Sequence, residues 1–93
     1  MSDIHVAATA TSGGWTCEVS VSDRGSTTRH QVLVAQADLA RLAPGAIEPE
    51  DLVRRSFEFL LEREPKESIL ARFELPLIGR YFPEYEHSVG RKG

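Results

Sequence analysis

Four prolines divide the second half of the chain, and they constrain its folding more than any other feature. Residues 48–85 read EPEDLVRRSFEFLLEREPKESILARFELPLIGRYFPEY, with Pro49, Pro65, Pro76 and Pro83 each preceding or ending an apolar-periodic stretch. Proline suits the first turn of a helix, where its missing N–H has no intrahelical partner, and it pushes the preceding residue out of the helical region. The spacing therefore predicts several short helices joined by almost no loop. No motif within them carries a recognisable reaction.

The main helix is expected over 49–64, with Glu50 and Asp51 near the positive end of its dipole. On a helical wheel Leu52, Val53, Phe57, Phe59, Leu60 and Leu61 spread over roughly 200°, which leaves Arg54, Arg55, Glu58 and Glu62 as a narrow polar strip. So wide an arc needs cover from two directions. Ser56 lies inside it, where a small side chain lets a neighbour's backbone come close. Residues 66–74 offer Ile69, Leu70 and Phe73, and Leu77, Ile78, Tyr81 and Phe82 repeat that spacing one proline later; both read as short core-facing helices. Upstream, Gln36–Ala43 predicts about two turns of helix, beginning near Asp38 or just before it and stopped by Pro44-Gly45.

The first half reads differently. Trp15 to Ser22 alternates apolar and polar residues, the pattern of a strand with one wet face, and after Asp23-Arg24-Gly25-Ser26 the alternation resumes from Thr27 to Ala35. A loop of Arg24-Gly25, or of 23–26, makes paired positions sum to 49, so that Trp15 faces Val34, Cys17 faces Val32 and Val19 faces His30. Both apolar sets then fall on one side of the hairpin. A three-residue loop would spoil that match. Ile4, Val6, Ala8 and Ala10 could line an edge strand, but alanine is a poor strand former, and a frayed tail is the preferred reading for 1–14. The end, EHSVGRKG, has glycine, charge and no periodicity, so 87–93 is expected to be flexible or peripheral.

Ninety-three residues with 41% apolar content make one small domain over 1–93. Net charge is −3 and the pI about 5.6, so nothing pulls the chain as a whole towards nucleic acid or an anionic membrane. The single cysteine, Cys17, cannot close an internal disulfide, and the start MSDIHVAATATSGG has neither the basic head nor the apolar run of a signal peptide. A cytoplasmic protein is expected.

Candidate chemistry is sparse. His30 and Cys17 share the hairpin's apolar face at a diagonal that suits a nucleophile pair, yet nothing nearby supplies the positive field that lowers a thiol pKa, and packed core residues are the preferred reading. His5, His30 and His87 lack metal-ligand spacing. Glu48/Glu50 and Glu84/Glu86 have no apolar pocket to make one of them an acid. Arg24, Arg29 and His30, with Arg91-Lys92 at the tail, could form a basic patch, but the first 40 residues hold only two arginines and no lysine. No catalytic residue, cofactor or metal is expected. The candidate interaction surface is Tyr81, Phe82 and Tyr85 in the aromatic run YFPEYE, with Arg54 and Arg55 on the helix strip; the preferred reading of the run is core packing, with Tyr81 and Phe82 inside and Tyr85 clamping the exit, and that of the strip is a solvated face.

The text SFEFLLEREPKESIL, followed by FELPLI and YFPEY, resembles a group of small uncharacterised bacterial proteins of about this length, over roughly residues 15–86. That group has no known activity, so the resemblance implies a stand-alone bacterial protein and supplies no site residues. The expected fold is α+β, an N-terminal antiparallel hairpin followed by three to four short proline-punctuated helices. The expected function is a non-enzymatic protein-interaction module, with a protein partner or a second copy in a homodimer. The alternative is a nucleic-acid-linked regulator, antitoxin-like or transcription-associated, using the hairpin as a ribbon or 66–82 as a degenerate helix-turn-helix.

Overall fold

A computed structural model describes residues 2–89. Its elements in chain order are β1 (Asp3–Thr11), β2 (Gly14–Asp23), β3 (Ser26–Ala35), α1 (Gln36–Leu42), α2 (Glu50–Leu61), a 3-10 turn (Lys66–Ser68), β4 (Arg72–Glu74), α3 (Leu77–Tyr81) and α4 (Tyr85–Val89). The fold is α+β: four strands in the order β1-β2-β3-β4, with the helices coming after the hairpins.

The expected β2–β3 register holds throughout. Trp15 faces Val34, Cys17 faces Val32, Val19 faces His30 and Asp23 faces Ser26. Arg24 (φ 51°) and Gly25 (φ 80°) form the two-residue loop with the positive dihedrals that such tight hairpins require. Cys17, Val19, Val21, Val32 and Val34 are buried on the inner face, and Trp15 is half-buried at its margin.

The expected N-terminal tail is instead a strand. β1 pairs antiparallel with β2 over all nine residues, from Asp3 opposite Ser22 to Thr11 opposite Gly14. Local propensity lost to the pairing groups that β2 offers along its whole length, helped by Ile4, Val6 and Ala8 packing at the margin of the core. Gly14 opens β2 where a Cβ would sit 2.0 Å from the Val34 carbonyl oxygen, so only glycine permits this close approach.

α2 lies across the sheet nearest to β1 and buries Leu52, Val53, Ser56, Phe57, Phe59 and Leu60. It begins at Glu50 with Pro49 as its N-cap and ends at Leu61, somewhat short of the expected 64. The helix expected at 66–74 does not form. Pro65 is extended, Lys66–Ser68 makes one 3-10 turn, and Arg72–Glu74 joins the sheet parallel to β3, with Phe73 opposite Val32. Gln31 N–H donates to Ala71 O (2.7 Å) and Leu75 N–H to Leu33 O (3.0 Å). Ile69, Leu70 and Phe73 serve an extended segment as well as a helical face, and the open edge of β3, which offers backbone partners, decides for the strand. A helix-turn-helix over 66–82 is thereby excluded. The end expected to be flexible or peripheral begins within α4, where Tyr85 and Val89, one helical turn apart, are both buried; residues 90–93 lie outside the described part.

Candidate interaction surface

Two large apolar side chains near each other in sequence stay in solvent: Tyr81 is 65% exposed and Leu70 49%. Both border one groove of about 360 Å³, floored by Leu60, Ile69, Phe73 and Ile78 and edged by Leu77 and Phe82. Pro76 caps α3 shortly after β4, and Pro65 precedes the 3-10 turn that follows α2, so these elements meet at sharp corners joined by segments of only two to four residues. The groove is an apolar concavity with a single charged lining residue, Glu64. That carboxylate forms no ion pair among the described residues.

The expected surface residues divide. Tyr81 and the half-buried Phe82 line the groove, and the Phe82 ring meets Phe59 edge-on at 5.9 Å. Tyr85 is fully buried and cannot meet a partner. Ser56 Oγ donates to Leu52 O (2.8 Å), so Tyr85 OH, 2.7 Å away, donates to Ser56. The small residue in the apolar arc thus admits a tyrosine hydroxyl rather than a neighbour's backbone. Burial pushes the Tyr85 phenol up to about 12. Arg54 is exposed on α2, away from the groove lining. Arg55 lies 3.2 Å from Asp51 and donates to Val89 O (2.9 Å), which ties α4 to α2. The rest of the strip is tied up in part: Arg63 stacks 3.6 Å over the Phe59 ring and reaches Glu84.

The catalytic candidates are packed. His30 Nδ1 lies 2.9 Å from Leu70 O, and a carbonyl can only accept, so Nδ1 carries the proton and Nε2 faces Thr28 Oγ1 at 2.8 Å. The ring stands 5.3 Å from Phe57. It fastens the segment ahead of β4 onto β3. Cys17 is fully buried, and burial, aided by Glu50 and Glu18, raises its thiol to about 11, opposite to what a nucleophile needs. Among the described residues no group of three or more His, Cys, Asp or Glu could hold a metal ion.

Sequence reasoning missed Lys66, which is only 4% exposed. Its Nζ donates to Asp23 Oδ1 (2.5 Å) and Glu67 Oε2 (2.8 Å), joining the β2–β3 turn to the 3-10 turn. The Lys66 hydrogen bond holds the Asp23 carboxyl below its usual value, and the same contacts raise Lys66. The Lys66–Asp23 contact spans 43 residues, so no local pattern announces it.

Among the described residues, no helix is long and apolar enough to cross a membrane. No family model, no curated protein and no solved structure matches the chain.

Proposed function

We propose that this chain is a non-enzymatic protein-interaction module, which binds another protein or a second copy of itself. The observation that carries the reading is the groove: an apolar concavity of about 360 Å³ with Leu70 and Tyr81 exposed on it, while His30 and Cys17 are consumed by packing. Exposed apolar side chains gathered on one concavity mark a docking site far better than scattered ones do. Its occupant in this reading is a short partner segment with large apolar anchors and one lysine or arginine, because Glu64 lines the groove and forms no ion pair among the described residues. The nucleic-acid alternative has little to stand on. Its helical form is lost with the strand at Arg72–Glu74, and the hairpin ribbon offers only Arg24 and Arg29.

Selection from a random displayed-peptide library tests the reading. Enriched peptides should combine bulky apolar residues with Lys or Arg, and should lose binding to Tyr81→Asp and Leu70→Asp, both at exposed positions. Glu64→Lys should shift the preference to acidic peptides. Failure to enrich any peptide over the Tyr81→Asp, Leu70→Asp double variant would overturn the groove as the docking site.

A further inference from the structure

β1 ends the sheet, and no described strand pairs with its outer edge. The loop Ser12-Gly13 closes the β1–β2 hairpin on the pair Thr11 and Gly14, as Arg24-Gly25 closes the next hairpin on Asp23 and Ser26. In two-residue hairpins that closing pair is hydrogen-bonded, and bonded pairs then alternate along the ladder. Asp3, His5, Ala7, Thr9 and Thr11 therefore spend their N–H and C=O groups on β2. Those of Ile4, Val6, Ala8 and Ala10 point outwards, and these residues make no other backbone hydrogen bond among the described residues.

Edge strands in stable monomers are guarded by shortness, lysine, proline or a bulge. β1 has none of these: it is nine residues long, without Lys or Pro, and its register with β2 is unbroken. Its only ionisable side chains are Asp3 and His5. Resting on the reading of the chain as an interaction module, and naming its partner at this edge, we propose that β1 pairs antiparallel with β1 of a second copy about a two-fold axis at Ala7, giving a continuous eight-stranded sheet.

The sequence of β1 fits that register and no other as well. Only a pairing centred on Ala7 engages all nine residues, and it sets outward-pointing groups against outward-pointing groups. It places Ile4 opposite Ala10 and Val6 opposite Ala8 of the other copy, large against small on the helix-covered face. Asp3 meets Thr11 and His5 meets Thr9, so no like charges oppose each other. Ala7, exposed on the wet face, meets its own counterpart on the axis. Closed two-fold pairing uses each free edge once and stops there, which open-ended stacking would not.

Light scattering coupled to size exclusion, over the micromolar range, tests the seam. The wild-type chain should run with the mass of two copies. Ala8→Pro removes only an outward N–H, so the β1–β2 ladder keeps its hydrogen bonds while the seam loses one donor from each copy and gains two rings. It should run as one copy. Ala7→Lys places two ammonium groups face to face on the axis, whereas within one copy the new side chain lies opposite Glu18; it too should run as one copy, with the circular dichroism of the folded chain retained. Tyr81→Asp, in the groove, should leave the mass at two copies. A wild-type mass of one copy across the range, or a mass of two copies in both β1 variants, would overturn the seam while leaving the groove reading untouched. Loss of the dimer in Tyr81→Asp would place the contact in the groove and overturn the seam as well.

Discussion

The two edges of the sheet are built on opposite plans. β4 is three residues long, carries Arg72 and Glu74, and runs into Pro76 almost at once. Everything around it is anchored: Phe73 is buried 6.2 Å from Phe57, His30 holds the Leu70 carbonyl, and α3 packs with α4 just beyond Pro76. β1 is three times as long, regular, almost uncharged, and only half covered by the core residues beneath it. Shape and openness are thus distributed separately in this molecule. The strongly anchored edge carries the apolar groove, and the weakly anchored edge leaves a row of backbone groups facing outward.

Truncations should separate the two plans by size of effect. Phe73→Ala should cost about 3–5 kcal/mol, because a fully packed aromatic ring leaves a cavity that its neighbours cannot fill; urea denaturation reads this directly. An effect under about 1 kcal/mol would mean that β4 is not anchored by its side chain.

The C-terminal seal should fail with alkali. Tyr85 has its folded-state pKa raised from 10.0 to about 12, so the neutral phenol is favoured by folding. Its contribution is fully present below pH 10 and is lost as pH rises through about 12. A shift of that size corresponds to about 2–3 kcal/mol. Stability measured between about pH 9 and pH 12 should fall more steeply in the wild type than in Tyr85→Phe, with Cys17, raised from 9.0 to about 11, and Lys66, raised by its hydrogen bonds to Asp23 and Glu67, contributing to the slope that remains. Identical slopes would show that the ring is not sealed in.

At the open edge the cost should be smaller. Val6→Ala should lower stability by about 1 kcal/mol at dilutions where the chain is monomeric, since only half-buried methyl groups are removed. A loss as large as that of Phe73→Ala would erase the distinction between the edges.

At low pH a still smaller effect is expected at the far end of the β2–β3 hairpin. Asp23 titrates below its usual 3.8, so its contribution is present above that value and is lost as pH falls through the lower folded-state pKa. Asp23→Asn should flatten the acid limb of a pH–stability curve. An unchanged limb would mean that the contact with Lys66 carries no net stability.

The hairpin of β2 and β3 was legible because alternation, turn residues and register all encode the same arrangement locally. The region 66–74 was not, because Ile69, Leu70 and Phe73 fit a helical face as well as they fit an extended segment. The open edge of β3, some forty residues earlier in the chain, decides between them. β1 was hidden by its alanines, since strand formation there depends on a partner and not on propensity. Tyr81 and Phe82, singled out by their aromatic cluster, border the groove, but no pattern in the sequence announced the groove itself. Tyr85, from the same cluster, is buried, which agrees with its reading as a clamp on the chain's exit and removes it from the candidate surface. Glu64 carries no sequence signal that separates a groove lining from a solvated face, and Lys66 none that marks a buried ion pair.

Amide hydrogen exchange resolved by residue reads the difference between the edges in the backbone groups themselves. The outward N–H groups of Ile4, Val6, Ala8 and Ala10 should exchange fast at high dilution and become protected as concentration rises, while the outward N–H groups of Arg72 and Glu74 stay fast throughout. Fast exchange at all four β1 positions at every concentration, or equal protection at both edges, would show that the open edge finds no partner and that the two plans do not differ.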